Sequence, residues 1–249
     1  MSVWSSVIGT AAGLLLGGPL GALAGDTAVA GPRRAIATSR GQVTFTIAAI
    51  ALAAKMARAD GIASPKEFAT FERLFEVPPA ERANAARFYR LAQGSTAGFE
   101  AYANQAAGLL GLGSPVLEDL LEALLLIARH DGFHAGEDSY LSEVARRFGF
   151  NAAAYSRIRA RHDARVPDDA WTVLGVPPGS DATTVRAAYR ELVKTYHPDR
   201  HIAEGLPIEF VRVAEARMAA INGAYASLRS PAAEASQPGR AAEAAGRAP

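Results

Sequence analysis

Apolar residues recur at helical spacing along most of this chain, and almost nowhere do they alternate as a half-buried strand requires. Leu117, Leu120, Leu121, Leu124 and Ile127 fall on one helical stripe, with Glu118, Asp119 and Glu122 on the opposing side. Val43–Met56 is a second apolar run, which Lys55 and Arg58 cut too short to span a bilayer. It reads as a core helix. Alanine is abundant, so helix propensity is high and strand signals are scarce. An all-α fold is expected. A 49% hydrophobic, 20% charged composition suits a folded body. The formal charge of +1 argues against a nucleic-acid partner, which would call for a basic excess. The absence of cysteine excludes disulfide frameworks, thiolate zinc sites and cysteine nucleophiles together.

The first 25 residues stand apart. No charged side chain occurs from Met1 to Gly25, and Val7–Ala24 is almost wholly apolar. At 1.5 Å per residue such a run is long enough to cross ~30 Å of hydrocarbon, so residues 1–25 are expected to form a transmembrane helix. Gly9, Gly13, Gly17, Gly21 and Gly25 recur every fourth residue and make overlapping GxxxG motifs. On a helix they open one face to a second backbone, so a homodimer through the anchor is expected. Ala22-Leu23-Ala24 has the look of a signal-peptide cleavage site, but no Lys or Arg precedes the apolar run. Arg33, Arg34 and Arg40 follow it, and an Arg-rich flank stays on the cytoplasmic side. An uncleaved single-pass anchor in the lipid bilayer, with the C-terminal bulk in the cytoplasm, is the reading.

Residues 26–41 read as a linker and 42–163 as a body of successive amphipathic helices. Within it, Ala57-Arg58-Ala59-Asp60-Gly61 is echoed by Ala128-Arg129-His130-Asp131-Gly132. Seven residues beyond each Asp stands an acid, Glu67 and Asp138, and a hydrophobic helix follows. This helix–Asp-Gly–loop–acid–helix pattern resembles the TerB-like domain, an all-helical module of tellurite-resistance and membrane-stress proteins. Asp60, Glu67, Asp131 and Asp138 are candidate oxygen ligands for a divalent cation. Capping is the competing account of Glu67: Ser64 is a suitable N-cap, Pro65 a suitable first helical residue, and Glu67 completes a capping box. Ala135 stands where Ser64 does in the second copy, so capping explains Asp138 less well.

After a second linker, 164–168, the pattern changes over 169–230. Ala170–Val176 is a short apolar element closed by glycine and two prolines. Asp181 is placed to cap a helix carrying Val185, Ala188, Tyr189, Leu192 and Tyr196 on its apolar side. Arg186, Arg190 and Lys194, spaced by four, form a basic stripe on that helix. The helix must end at His197, because the residue before Pro198 is driven out of the α region. His197-Pro198-Asp199 follows at the exit. A second long helix is expected from about Ile208 to Leu228, with Phe210, Ala214, Met218, Ile221, Tyr225 and Leu228 on one face. Residues 231–249 are rich in Ala, Pro, Gly and Glu and read as a disordered tail.

Two antiparallel helices joined by a loop that starts with His-Pro-Asp resemble the J domain of the DnaJ family. Trp171, Leu174-Gly175-Val176, Ala188-Tyr189-Arg190 and Ala224-Tyr225 carry the likeness further. The resemblance implies that His197, Pro198 and Asp199, with Arg186, Arg190 and Lys194, bind a DnaK-type ATPase chaperone. Glu191 departs from the family's habit of further Lys or Arg at this point. Anchor, TerB-like body and C-terminal J domain together are similar to the membrane-anchored DnaJ-like proteins of Gram-negative bacteria. That implies a co-chaperone on the cytoplasmic face of the inner membrane. The second reading is a membrane-associated scaffold, or a stress or metal sensor, acting through the TerB-like body. No grouping supports enzymatic catalysis by the chain itself: there is no Ser–His–acid arrangement and no phosphate-cradling loop in a βαβ setting. No cofactor is expected beyond that candidate cation. His197, Asp199 and His201 alternate as metal ligands would, but without a fourth ligand they make a poor zinc site. The Gly/Phe segment and Cys-rich region that many DnaJ proteins use for clients are absent from the sequence. Client choice is therefore expected from the body, the anchor or proximity.

Overall fold

The computed structural model describes residues 36–59, 65–129, 132–161, 170–207 and 210–229. The anchor with its five glycines, Asp60, Asp131, the linker at 164–168 and the tail lie outside these residues. Among the described residues every regular element is helical, as expected. None of those helices is long and apolar enough to cross a membrane.

Helix α1 (Ser39–Met56) begins three residues inside the stretch assigned to the first linker, because Thr38 caps it: its hydroxyl accepts the Gly41 N–H at 3.0 Å. The helix is apolar on every side, and a helix of that kind must be buried all round. It forms the axis of the body. Phe45, Ile47, Ile50, Leu52 and Met56 are enclosed, and the alanines between them let neighbouring helices pack closely. Around it stand α2 (Pro65–Leu74), α3 (Arg82–Ala92), α4 (Phe99–Leu110), α5 (Pro115–Ala128), α6 (Ala135–Arg147) and α7 (Ala152–Ala160). Lys55, which seemed to interrupt the apolar run, is itself buried. Its ammonium donates to the carbonyls of Ser95 and Ala97 at 2.7 and 2.8 Å, so the charge is solvated by backbone. Tyr140 likewise spends its hydroxyl on the Leu52 carbonyl.

Counted along the sequence from the two Asp-Gly echoes, the helices that follow them start one residue out of step. Pro65 opens α2, which makes Glu67 its third residue; Ala135 opens α6, which makes Glu137 the third there. Both are buried, and Glu137 accepts the His134 N–H at 2.9 Å. The counterpart of Glu67 is therefore Glu137, not Asp138. Helix start, rather than distance from Asp, sets the equivalence, because the N-terminal N–H groups of a helix need an acceptor.

The C-terminal module contains α8 (Ala170–Leu174), α9 (Ala182–Tyr196), α10 (Pro198–Ala203) and α11 (Val211–Leu228). Asp181 caps α9 through the Thr184 N–H at 2.7 Å. Tyr189 stacks on Tyr225 with ring centroids 4.0 Å apart, while Tyr196, two turns later, meets Arg217. That crossing register makes α9 and α11 antiparallel. A small core of Leu174, Val185, Tyr196, Ile221 and Ala224 closes the hairpin. The last helix is described from Val211, residues 208 and 209 lying outside the described ones, and its apolar residues serve two cores. Met218, Ile221, Tyr225 and Leu228 pack within the hairpin, whereas Phe210 and Val213 belong to the core of the helical body. Phe210 stands 4.8 Å from Phe45 and from Phe75, centroid to centroid.

Candidate functional site

His197 ends α9 in an extended conformation (φ −65°, ψ 130°), as its position before proline requires. Pro198 then opens α10, where its fixed φ and missing N–H suit the first helical position. The segment read as an open loop is thus a one-and-a-half-turn helix with His197 as its cap. The Asp199 N–H donates to His197 Nδ1 at 3.2 Å. Asp199 is 86% exposed and His197 47%, so both present their side chains to solvent. Arg200 ties the corner together, reaching Glu204 at 3.0 Å and the Lys194 carbonyl at 3.4 Å. Arg186, Arg190 and Lys194 are exposed along α9 and lead up to the tripeptide. All six residues singled out on this module thus lie on α9 and the short helix that follows it.

The other side of the module is not free. Glu118, Asp119 and Glu122, expected opposite the apolar stripe of α5, are drawn into its contact with α10 and α11. Asp119 is 6% exposed and Arg217, in the middle of α11, 8%. Arg217 reaches Asp119 at 2.7 Å, Glu118 at 2.6 Å and Glu122 at 3.6 Å. Arg161, just past α7, reaches Glu118 and Glu122, each at 2.7 Å. The Tyr196 hydroxyl donates to Glu118 at 2.8 Å, and the Arg217 guanidinium lies 3.5 Å over the Tyr196 ring. His201, 2% exposed, places Nε2 2.9 Å from Asp119. His201 thus faces the body, away from His197 and Asp199, which are exposed.

Burial alone would raise the Glu118 carboxyl; Arg217 and Arg161 outweigh it and hold the group below its ordinary value. Burial works against the Arg217 charge in the same way, and Glu122, Asp119 and Glu118 overcome it. Arg217 and Arg161 were not singled out from the sequence, and His201 was weighed there only as an alternating ligand. The one available signal was an arginine amid the apolar positions of α11, between Ala214 and Met218, facing a helix with acids at three nearby positions.

The other sequence candidates divide. Glu67 is buried at the start of α2. Asp138 accepts from the Tyr155 hydroxyl and from Arg159, both at 2.7 Å. Burial raises its carboxyl, but Tyr155 and Arg159 bring it below the ordinary value. Asp60 and Asp131 lie outside the described residues. Among the described residues no three His, Asp or Glu side chains gather as metal ligands would.

Comparison with known proteins matches two separate stretches of the chain. Residues 46–160 match the family model of the tellurite resistance protein TerB, and residues 169–235 match the DnaJ domain. The co-chaperone protein DjlA of Escherichia coli (strain K12) is 47% identical over 58 residues, which are 23% of this chain and 21% of that protein. DjlA of Salmonella typhimurium is 45% identical over 58 residues, 23% of this chain and 22% of its own. DjlA of Vibrio parahaemolyticus is similar over a longer stretch, 31% identical across 140 residues, or 44% of this chain and 49% of that one. The chain thus matches between about a fifth and a half of the length of these relatives. No solved structure matches.

Proposed function

We propose that this DjlA-like member of the DnaJ family, a TerB domain followed by a DnaJ domain, is a co-chaperone that binds a DnaK-type chaperone and stimulates its ATP hydrolysis. The observation that carries the reading is the exposed His197-Pro198-Asp199 corner at the end of an exposed basic stripe. A proline at the first position of α10 fixes the backbone there, so little conformational entropy is lost when a partner closes on the tripeptide. The stripe of Arg186, Arg190 and Lys194 steers the module towards an acidic surface and governs encounter rate. The co-chaperone performs no bond chemistry. It binds better to the hydrolysing conformation of its partner than to the resting one and shifts that population.

Residues 1–25 supply the address in this reading. Their uncharged length supports a single-pass anchor in a bacterial inner membrane with both domains in the cytoplasm, and the glycines at every fourth position support a homodimer there. The anchor would concentrate chaperone activity at the membrane surface.

The deciding measurement is single-turnover ATP hydrolysis by a purified DnaK-type chaperone with the full chain and with His197→Gln. Stimulation that is lost in the variant is expected. Equal rates with wild type, variant and no addition would overturn the reading and give the lead to a scaffold acting through the TerB domain.

A further inference from the structure

Within its own domain the short helix bearing Pro198 and Asp199 is tied to α9 by Arg200, which reaches the Lys194 carbonyl at 3.4 Å. At six residues α10 is far below the length at which a helix is stable alone. A second set of ties runs from the segment to the other domain. His201, two residues beyond Asp199, is buried with Nε2 2.9 Å from Asp119 on α5. The Gly205 carbonyl accepts from the Gln42 side chain on α1 at 2.9 Å, and Leu206 is enclosed in the core of the body. The approach at Gly205 is so close that a Cβ there would stand 2.5 Å from the Ala37 Cα.

We propose that Asp119, in the TerB domain, is a positioning residue for the His-Pro-Asp segment of the DnaJ domain, so that the body sets the conformation in which the tripeptide meets its partner. The inference rests on the co-chaperone reading above and adds to it a role for the first domain. Asp119 divides its two oxygens: Oδ1 receives Arg217 from α11 at 2.7 Å, and Oδ2 faces His201 of α10. One carboxylate thereby fixes the spacing between the helix that carries the tripeptide and the helix that backs it. The contact leaves His197 and Asp199 exposed, so it orders the binding surface without covering it. A charge-assisted contact between buried groups is directional, and removing the Asp119 charge weakens its hold on His201 and on Arg217 together, while Arg217 keeps Glu118 at 2.6 Å.

The test uses the full chain with Asp119→Asn, which keeps the side chain's size and removes its charge. Glu143→Gln serves as control, since Glu143 pairs with Arg146 and Arg147 on the body surface. The first readout is amide hydrogen exchange at Arg200, Glu204, Gly205 and Leu206, whose N–H groups are bonded within the segment. Asp119→Asn is expected to speed exchange at these four by about tenfold or more, the effect of losing one net buried bond. The Val185 amide at the far end of α9 stays within about twofold, as does every amide in the control. The second readout is single-turnover hydrolysis by a DnaK-type chaperone. The maximal stimulated rate falls about three- to tenfold, while the half-saturating concentration, governed by the basic stripe, moves less than about twofold.

Unchanged exchange at the four amides overturns the proposal whatever the chaperone does. Faster exchange with an undiminished maximal rate also overturns it. If wild type itself gives no stimulation, the co-chaperone reading falls, and the exchange data alone decide whether Asp119 orders the segment. Should Asp119→Asn fail to fold, Gln42→Ala removes the tie at the Gly205 carbonyl and is read in the same two ways.

Discussion

Arg217 on α11 and Asp119 on α5, 98 residues apart in the chain, lie 2.7 Å from each other in a buried contact between the two domains. The pair belongs to a cluster of three carboxylates and two guanidinium groups, with His201 at its edge. Taking such charges out of water is costly, so the cluster is weak evidence for added stability. Breaking it is another matter, because each partner left behind is a buried charge without compensation. The cluster therefore specifies how the domains fit more than how tightly they hold.

Arg217→Ala is expected to destabilise the chain by about 3–5 kcal/mol, since it leaves Glu118 and Glu122 with Arg161 alone and Asp119 with no guanidinium partner beside His201. Urea unfolding followed by circular dichroism should change from one transition to two as the domains part. A single, unshifted transition would show that the contact carries no coupling.

Acid should open the same contact. The Glu118 carboxyl is held below its ordinary 4.5 by Arg217 and Arg161 against the upward push of burial. A depressed folded value means that its contribution is complete above the unfolded value and is lost as pH falls through the folded one. Stability of the two-domain unit is accordingly expected to be level from neutral pH down to about 5 and to fall below 4.5. Thermal melts across that range check it, and Glu118→Gln should flatten the fall.

Phe210→Ala removes an aromatic side chain held between Phe45 and Phe75. A loss of about 3–5 kcal/mol is expected, typical of a buried Phe truncated to Ala. The tyrosine stack of the hairpin core should remain, so near-ultraviolet signals from Tyr189 and Tyr225 persist until the hairpin itself unfolds.

Gly205→Ala and Gly175→Ala separate strain from crowding. Both glycines have positive φ, +95° and +69°, so each alanine carries a backbone penalty of about 1 kcal/mol. Only at Gly205 does the added Cβ also meet backbone, at 2.5 Å from Ala37, whereas at Gly175 it enters open space. Gly205→Ala is expected to cost at least about 1–3 kcal/mol more than Gly175→Ala in chemical denaturation, as overpacking does.

The triple variant Arg186→Ala, Arg190→Ala, Lys194→Ala should leave stability within about 0.5 kcal/mol, since all three side chains are exposed. Association with a DnaK-type chaperone, the partner proposed above, should slow by about tenfold or more and lose most of its salt dependence. Stopped-flow binding at two ionic strengths reads both effects.

Local physics was legible in the sequence. Alanine-rich periodicity, the cap at Asp181, and the break that Pro198 forces on α9 each depend on residues within a turn or two of one another, so they survive without tertiary information. The His-Pro-Asp corner and its basic stripe belong to that class. What faced what did not. Glu118, Asp119 and Glu122 looked like the outer side of an amphipathic helix because a polar residue on a helix usually meets water. Only the packing of α11 against α5 brings Arg217 and His201 to them and turns a presumed outer face into an interior one. The same packing splits the apolar stripe of α11 between two cores and makes Gly205 a point of backbone contact. Burial of charge depends on partners distant in sequence, and that pairing exists only once the chain has closed on itself.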